Sequence, residues 1–192
     1  MKILFKAVTA ALLIAAASSP AAAQKLSPPV IVIVDMDRIV NESAAGKQAA
    51  TEIQGKITNL QNRATTLQGQ LKADADSIQA GQANKSLAGA ALEQRAQAFG
   101  QRQQQAQQEI ARLEQDVQRS RQFVIQQIDT AAQPIITQVM RERGAAIALA
   151  KGAAMQHSAT LEVTNDVIAR LNTSTPRVSS TPPAAPAPAP RQ

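Results

Sequence analysis

Six apolar side chains, Ile53, Ile57, Leu60, Ala64, Leu67 and Leu71, follow one another at steps of four, three, four, three and four. A helix repeating at that spacing carries its apolar groups along one narrow stripe, the seam of a coiled coil. No proline interrupts residues 44–80, so the spacing predicts one long helix. At ~1.5 Å per residue it reaches on the order of 55 Å. Residues 74–85 lose the period and gain Asp, Gly and Asn, and are read as the tip where the chain reverses. A return helix is predicted from near Ser86 to about Arg143. Its looser seam runs through Leu92, Phe99, Ala106, Ile110, Leu113, Val117, Ser120, Val124 and Ile128. Two such helices make an antiparallel hairpin over residues 44–143, with Pro134 expected to kink or end the second one. Gly55, Gly69, Gly89 and Gly100 interrupt the arms, each at a cost of about 1 kcal/mol relative to Ala.

The hairpin has β-rich flanks. Residues 30–34, Val-Ile-Val-Ile-Val, lie between Pro28-Pro29 and Asp35 and read as a strand covered on both faces. A short helical step follows, after which Asn41 or Ser43 can cap the long helix. Beyond the hairpin, residues 146–150 read as a second strand between Gly144 and Gly152, and a weaker third is expected within 155–163. Thr164 is a candidate N-cap for a closing helix over 165–171. Residues 24–43 and 144–172 thus form a small β body at the foot of the arm, and residues 173–192, with six prolines, are expected to be a disordered tail. Two or three short strands and one helix cannot close a core, and the hairpin is expected to point away from them. Several chains are therefore expected to pool their strands, with Val32, Val34, Ile147 and Leu149 in the shared core. The fold class is mainly α with a small β body that oligomerises into a shared barrel.

Residues 1–23 read as an export signal: Lys2 and Lys6, an apolar run over 7–17, a Ser-Ser-Pro break, and Ala21-Ala22-Ala23 as a site for cleavage after Ala23. The run is shorter than the ~20 residues of a membrane anchor. With no cysteine anywhere, neither a lipoprotein anchor nor a disulfide is available. The Ala-rich signal points to a bacterial periplasm. Removal of Lys2 and Lys6 takes the formal charge from +6 to +4. That surplus is scattered: residues 44–80 hold four basic and three acidic groups, residues 84–142 seven and six. Nucleic acid is excluded by export and by a shortage of stacking aromatics, while the surplus allows weak attraction to an anionic membrane surface.

Catalytic constellations are lacking in the sequence. His157 stands alone, so neither a metal site nor a catalytic pair is expected around it. Asp35 and Asp37 are read as strand-end turn residues rather than an acid–base pair. No Gly-rich phosphate loop or nucleophile elbow occurs, and no cofactor is expected. Met140 and Met155 are read as packing residues near the base.

The segment Val34-Asp35-Met36-Asp37-Arg38-Ile39, followed by Ser43-Ala44-Ala45-Gly46-Lys47, resembles the start of the Skp/OmpH-like family of periplasmic chaperones. Ile147-Ala148-Leu149 and Glu162-Val163-Thr164-Asn165-Asp166-Val167-Ile168 are similar to its closing strand and helix. The resemblance implies a homotrimer with an intertwined β body and three helical arms around a cavity. There, unfolded outer-membrane β-barrel proteins are held without ATP. The charge-balanced, Gln-rich arms and the Pro/Ala tail depart from the family pattern. Client contacts are expected to be diffuse over the inner arm surface, with no residue-level motif. The alternative is a periplasmic coiled-coil brace or adaptor within an envelope complex.

Overall fold

The computed structural model describes residues 28–183; residues 1–27, with the expected export signal, and residues 184–192 of the tail lie outside the described residues. The order of elements is β1 (Ile31–Val34), α1 (Met36–Glu42), α2 (Ala44–Ala83), α3 (Gly89–Arg143), β2 (Ile147–Ala150) and α4 (Thr164–Ser174). Single-turn 3₁₀ helices at Lys151–Ala153 and Ala159–Leu161 lie between the last two.

Helices α2 and α3 are the two limbs of a hairpin. Cross-links at Lys56–Ser120, Arg63–Glu109 and Asp74–Arg102 give its antiparallel register. The tip is shorter than the sequence suggests, because α2 continues to Ala83 and only residues 84–88 turn. Asp74, Ile78 and Gly81 keep the inward period going, each less exposed than its neighbours. The turn itself is tight: Lys85 adopts a left-handed φ of 57°, and the Leu87 N–H donates to the Gly81 carbonyl at 2.9 Å.

Pro134 neither ends α3 nor interrupts its assigned helix, which runs on to Arg143. Pro134 is exposed, so the backbone bond it forfeits lies on the solvent side of the helix. Gly144 then closes α3 with a left-handed φ of 64°, which presents the Ala145 N–H to the Met140 carbonyl at 2.8 Å. With 55 residues against 40, α3 outruns α2 at the foot of the arm. Its surplus length carries Ile135 and Val139 into the base.

The base is where one strand is wrapped. β2 pairs with β1 in parallel, Ile31 with Ile147 through Val34 with Ala150. The expected third strand shrinks to a single bridge between Ile33 and Glu162, with the Val163 N–H donating to the Ile33 carbonyl at 3.0 Å. Ser158 caps a 3₁₀ turn just before it and α4 begins just after, leaving no length for a strand. Val32 and Val34 join one cluster with Ile39, Ile53, Ile128, Val139, Val167 and Leu171. The strand count therefore misleads. The feet of α2 and α3 fold over β1 with α1 and α4, so a single chain closes a core that pooling was expected to supply.

Ser43 is the joint between α1 and α2. Its N–H donates to the Ile39 carbonyl (3.2 Å) and its Oγ accepts from the Gly46 N–H (3.1 Å), so one buried residue ends one helix and starts the next. Gly46 is required at this crossing, since a Cβ there would stand 1.6 Å from the Val40 carbonyl oxygen.

Candidate functional site

Two surfaces can carry function: a polar cluster at the base and the faces of the hairpin. The cluster is organised by the turn after β1. Asp35 caps α1, its Oδ1 accepting the Arg38 N–H at 3.0 Å, and its own N–H donates to Thr164 Oγ1 at 3.0 Å. Thr164 was expected to cap α4; instead Val163 holds that position and the buried Thr164 hydroxyl fastens α4 to the strand end. Arg38 donates to Glu42 and Glu162, both at 3.0 Å, and to Asn165 at 3.0 Å. Lys151 completes the cluster, 3.1 Å from Asp35 and 3.7 Å from Glu162.

The electrostatics follow. The Arg38 N–H holds the Asp35 carboxyl below its ordinary range, with Lys151 adding to the effect against the cost of burial. Burial pushes the Glu162 carboxyl up, but Lys151, the Thr164 hydroxyl and Arg38 outweigh it and the net shift is downward. Glu42 is lowered by the Arg38 guanidinium. These carboxylates are committed to partners that pin α1, α4 and the strand ends, which is a fastening arrangement. Asp37 sits in the first turn of α1, where its charge suits the helix N-terminus. His157 Nδ1 lies 3.2 Å from the Ser158 carbonyl. Among the described residues no three His, Cys, Asp or Glu gather as metal ligands.

On the hairpin, the seam residues fall into two groups. Ile53, Val117 and Val124 are buried, whereas Ile57, Leu60, Leu67, Leu71, Ile110 and Leu113 are only partly covered. The two sides of the seam differ in chemistry. One side bears Glu52, Lys56, Asp116 and Gln127 and is crossed by residues after α4. The other is an open groove lined by Val40, Ala50, Ile53, Ile57, Val124 and Ile125, with Arg121 at its edge. Ile125 is 51% exposed there.

The four residues expected in a pooled core separate. Val32 and Val34 are 3% and 4% exposed within one chain, Leu149 is partly covered, and Ile147 is 44% exposed. Val30, Met155 and Leu161 are also open at this end of the molecule. Met155, read as packing, is fully exposed, while Met140 is packed against the core.

Sequence reasoning did not foresee the close crossing at Gly46, the bond from the Asp35 N–H to Thr164 or the Lys56–Ser120 link. Only the Gly46 position carried a signal, as a glycine in the first turn of a helix. It also expected residues 173–183 to be disordered. Instead α4 continues to Ser174, and the following residues lie against the hairpin, with Ser180 5% exposed.

A family model described as "Outer membrane protein (OmpH-like)" matches residues 30–171, from the start of β1 through most of α4. The chain belongs to the OmpH-like family. Each residue of its Val34–Ile39 segment has a place in the base just described, from the buried Val34 and Ile39 to the Asp35 cap and the Arg38 hub. Among solved structures, this OmpH-like chain is similar to a protein of Caulobacter crescentus CB15 provisionally described as an outer membrane chaperone (OmpH-like). The TM-score is 0.72 at 20% identity, covering 80% of this chain and 90% of that one. The likeness is one of fold. A comparison with the curated proteins finds no match.

Proposed function

We propose that this OmpH-like protein is an ATP-independent holdase of the periplasm, which keeps unfolded outer-membrane β-barrel proteins from aggregating between helical arms. Membership of the OmpH-like family supports the chaperone role and the compartment. The observation that carries the mechanism is the unevenness of the hairpin: a well-packed foot, then a long limb on whose apolar stripe only Ala106 is fully covered. A limb of that kind offers many shallow apolar contacts, Ala methyls and the stems of Gln and Arg, each weak and none specific. Weak contacts in number hold a client and still release it to a more stable fold. The groove at Ile53, Ile57 and Ile125 is the densest of these surfaces near the foot.

Oligomerisation into a homotrimer is part of the proposal. Among the described residues the outer edge of β2 is unpaired, and Val30, Ile147, Met155 and Leu161 are exposed at that end. Copies meeting there cover both the edge and these side chains and set the arms around a common space. The charge surplus adds at most a salt-sensitive attraction to acidic clients or anionic membrane surfaces.

Native mass spectrometry of the mature protein, alone and mixed with a urea-unfolded outer-membrane barrel, tests the whole reading. A trimer that takes up one unfolded client and ignores the folded barrel is the expected result. A monomer overturns the assembly, and a trimer that binds only a folded partner returns the structural brace.

A further inference from the structure

The chain does not leave the body where α4 ends. Val178 packs against the core, and the next residues cross the polar side of the hairpin at its waist. Gln127 meets Ser179 with both ends of its amide: Nε2 donates to the Ser179 carbonyl (2.8 Å) and Oε1 accepts from the Ser179 N–H (3.1 Å). That is the paired exchange one β-strand offers another, made here by a side chain. Lys56 Nζ donates to the Ser180 carbonyl at 2.8 Å and to the buried Ser120 Oγ at 2.8 Å. Ser180 Oγ donates to Glu52 at 2.5 Å. Pro182 and Pro183 continue into a cleft with Asn59, Leu113 and Val117.

Three of these bonds engage main-chain atoms that any residue possesses, and one requires a hydroxyl. The segment that fills the surface is Thr-Pro-Arg-Val-Ser-Ser-Thr-Pro-Pro, residues 175–183. Its prolines limit its backbone freedom, and a bend at Ser180 and Thr181, where the Thr181 N–H donates to Ser179 Oγ at 3.1 Å, leaves the Ser179 and Ser180 carbonyls to face Gln127 and Lys56. It is tethered directly to α4, which gives it a high local concentration and lets a few polar bonds hold it.

We propose that this surface is a binding site for extended polypeptide, occupied in cis by the chain's own tail, and that an extended segment of an unfolded client displaces the tail. The occupied site links α2, α3 and the tail through the single Lys56 ammonium, so displacement frees the waist of the arm as it captures the client. The identity of the displacing segment rests on the holdase reading; the site does not.

The absence of native cysteine allows a direct test in the full mature chain. A nitroxide is attached at Thr181→Cys and its mobility read by electron paramagnetic resonance. The label is expected to be restricted, and Gln127→Ala with Ser180→Ala is expected to raise its mobile fraction about tenfold or more. A synthetic peptide of residues 175–183 is expected to release the label progressively, whereas the peptide with Ala at Ser180 and an N-methyl group on Ser179 is not. A label that tumbles freely in the otherwise unaltered chain overturns the proposal. So does a label that no concentration of peptide releases, even with Gln127→Ala. Release by the peptide but not by a urea-unfolded barrel protein overturns the client as displacer. If native mass spectrometry still shows client capture in that case, the holdase reading stands without it.

Discussion

The two halves of the hairpin share one heptad spacing and differ in everything that spacing is supposed to deliver. In the half nearest the base, α2 buries Ala45, Ala49 and Ile53, and α3 buries six apolar residues from Val117 to Val139. In the distal half, α2 buries nothing and α3 buries only Ala106. The cause is a third layer. At the base, α1, α4 and β1 lie over the pair and complete the enclosure. Further out each helix has one neighbour, so all the distal seam side chains except Ala106 keep some contact with water. A seam determines which side two helices share; enclosure needs a third element. The consequence is a molecule whose burial is concentrated at one end, with a partly exposed apolar stripe along the rest of the hairpin.

The sharpest way to break this contrast is at the base joint. Gly46→Ala pushes a methyl into the Val40 carbonyl and is expected to cost several kcal/mol, roughly 3 or more, or to prevent folding. Urea unfolding of the purified variant measures it, and an unchanged midpoint refutes the crossing geometry. Ile128→Ala, at a fully buried site, is expected to cost about 2–5 kcal/mol. Leu67→Ala, partly exposed on the distal limb, is expected to cost less, about 1 kcal/mol. Equal losses for the two would erase the distinction between foot and limb.

Acid sharpens it next. The Asp35, Glu42 and Glu162 carboxyls at the base are all depressed, as is that of Glu142, held by Arg170 of α4. Between their folded values and the ordinary carboxylate range the unfolded chain binds more protons, so stability rises with pH there. It is complete above about pH 5 and lost as pH falls through the folded values. Thermal melts from pH 7 down to 3 should show falling Tm, first as loss of base structure; a flat profile rejects these pairings. The smallest effect is on the limb. A double-mutant cycle on Arg63 and Glu109, paired at 2.6 Å with both side chains 41% exposed, should give only a small favourable coupling, abolished by salt.

What could be read in the sequence divides along physical lines. The hairpin, both strands and the closing helix were legible, because periodicity and β-branched runs are local signals. Residues outside a helix that complete its enclosure leave no such trace. Thr164 looked like a helix cap because a cap is the local use of a hydroxyl, yet the Asp35 amide from far along the chain claims it. The proline-rich composition of residues 173–192 suggested a disordered tail, whereas Val178 packs on the core and the residues after it bond to the hairpin. It carried no information that Gln127 and Lys56 would supply those bonds. Pro134 was expected to disturb α3 because the lost hydrogen bond is visible in the sequence, whereas its solvent-facing position is not.

The parallel pairing of Ile31 with Ile147 bears on the order of events as the chain folds. The first strand appears early, a five-residue run of Val and Ile with no charge, and its only strand partner in the sheet is more than a hundred residues away. Joining such distant segments through an open coil is slow, and a waiting strand of this kind readily pairs with other chains. The hairpin removes the delay. Helices grow from local contacts, and once α2 and α3 zip from the tip down they deliver β1 and β2 side by side, turning a long loop into a short one. The arm is thus a folding device for its own molecule.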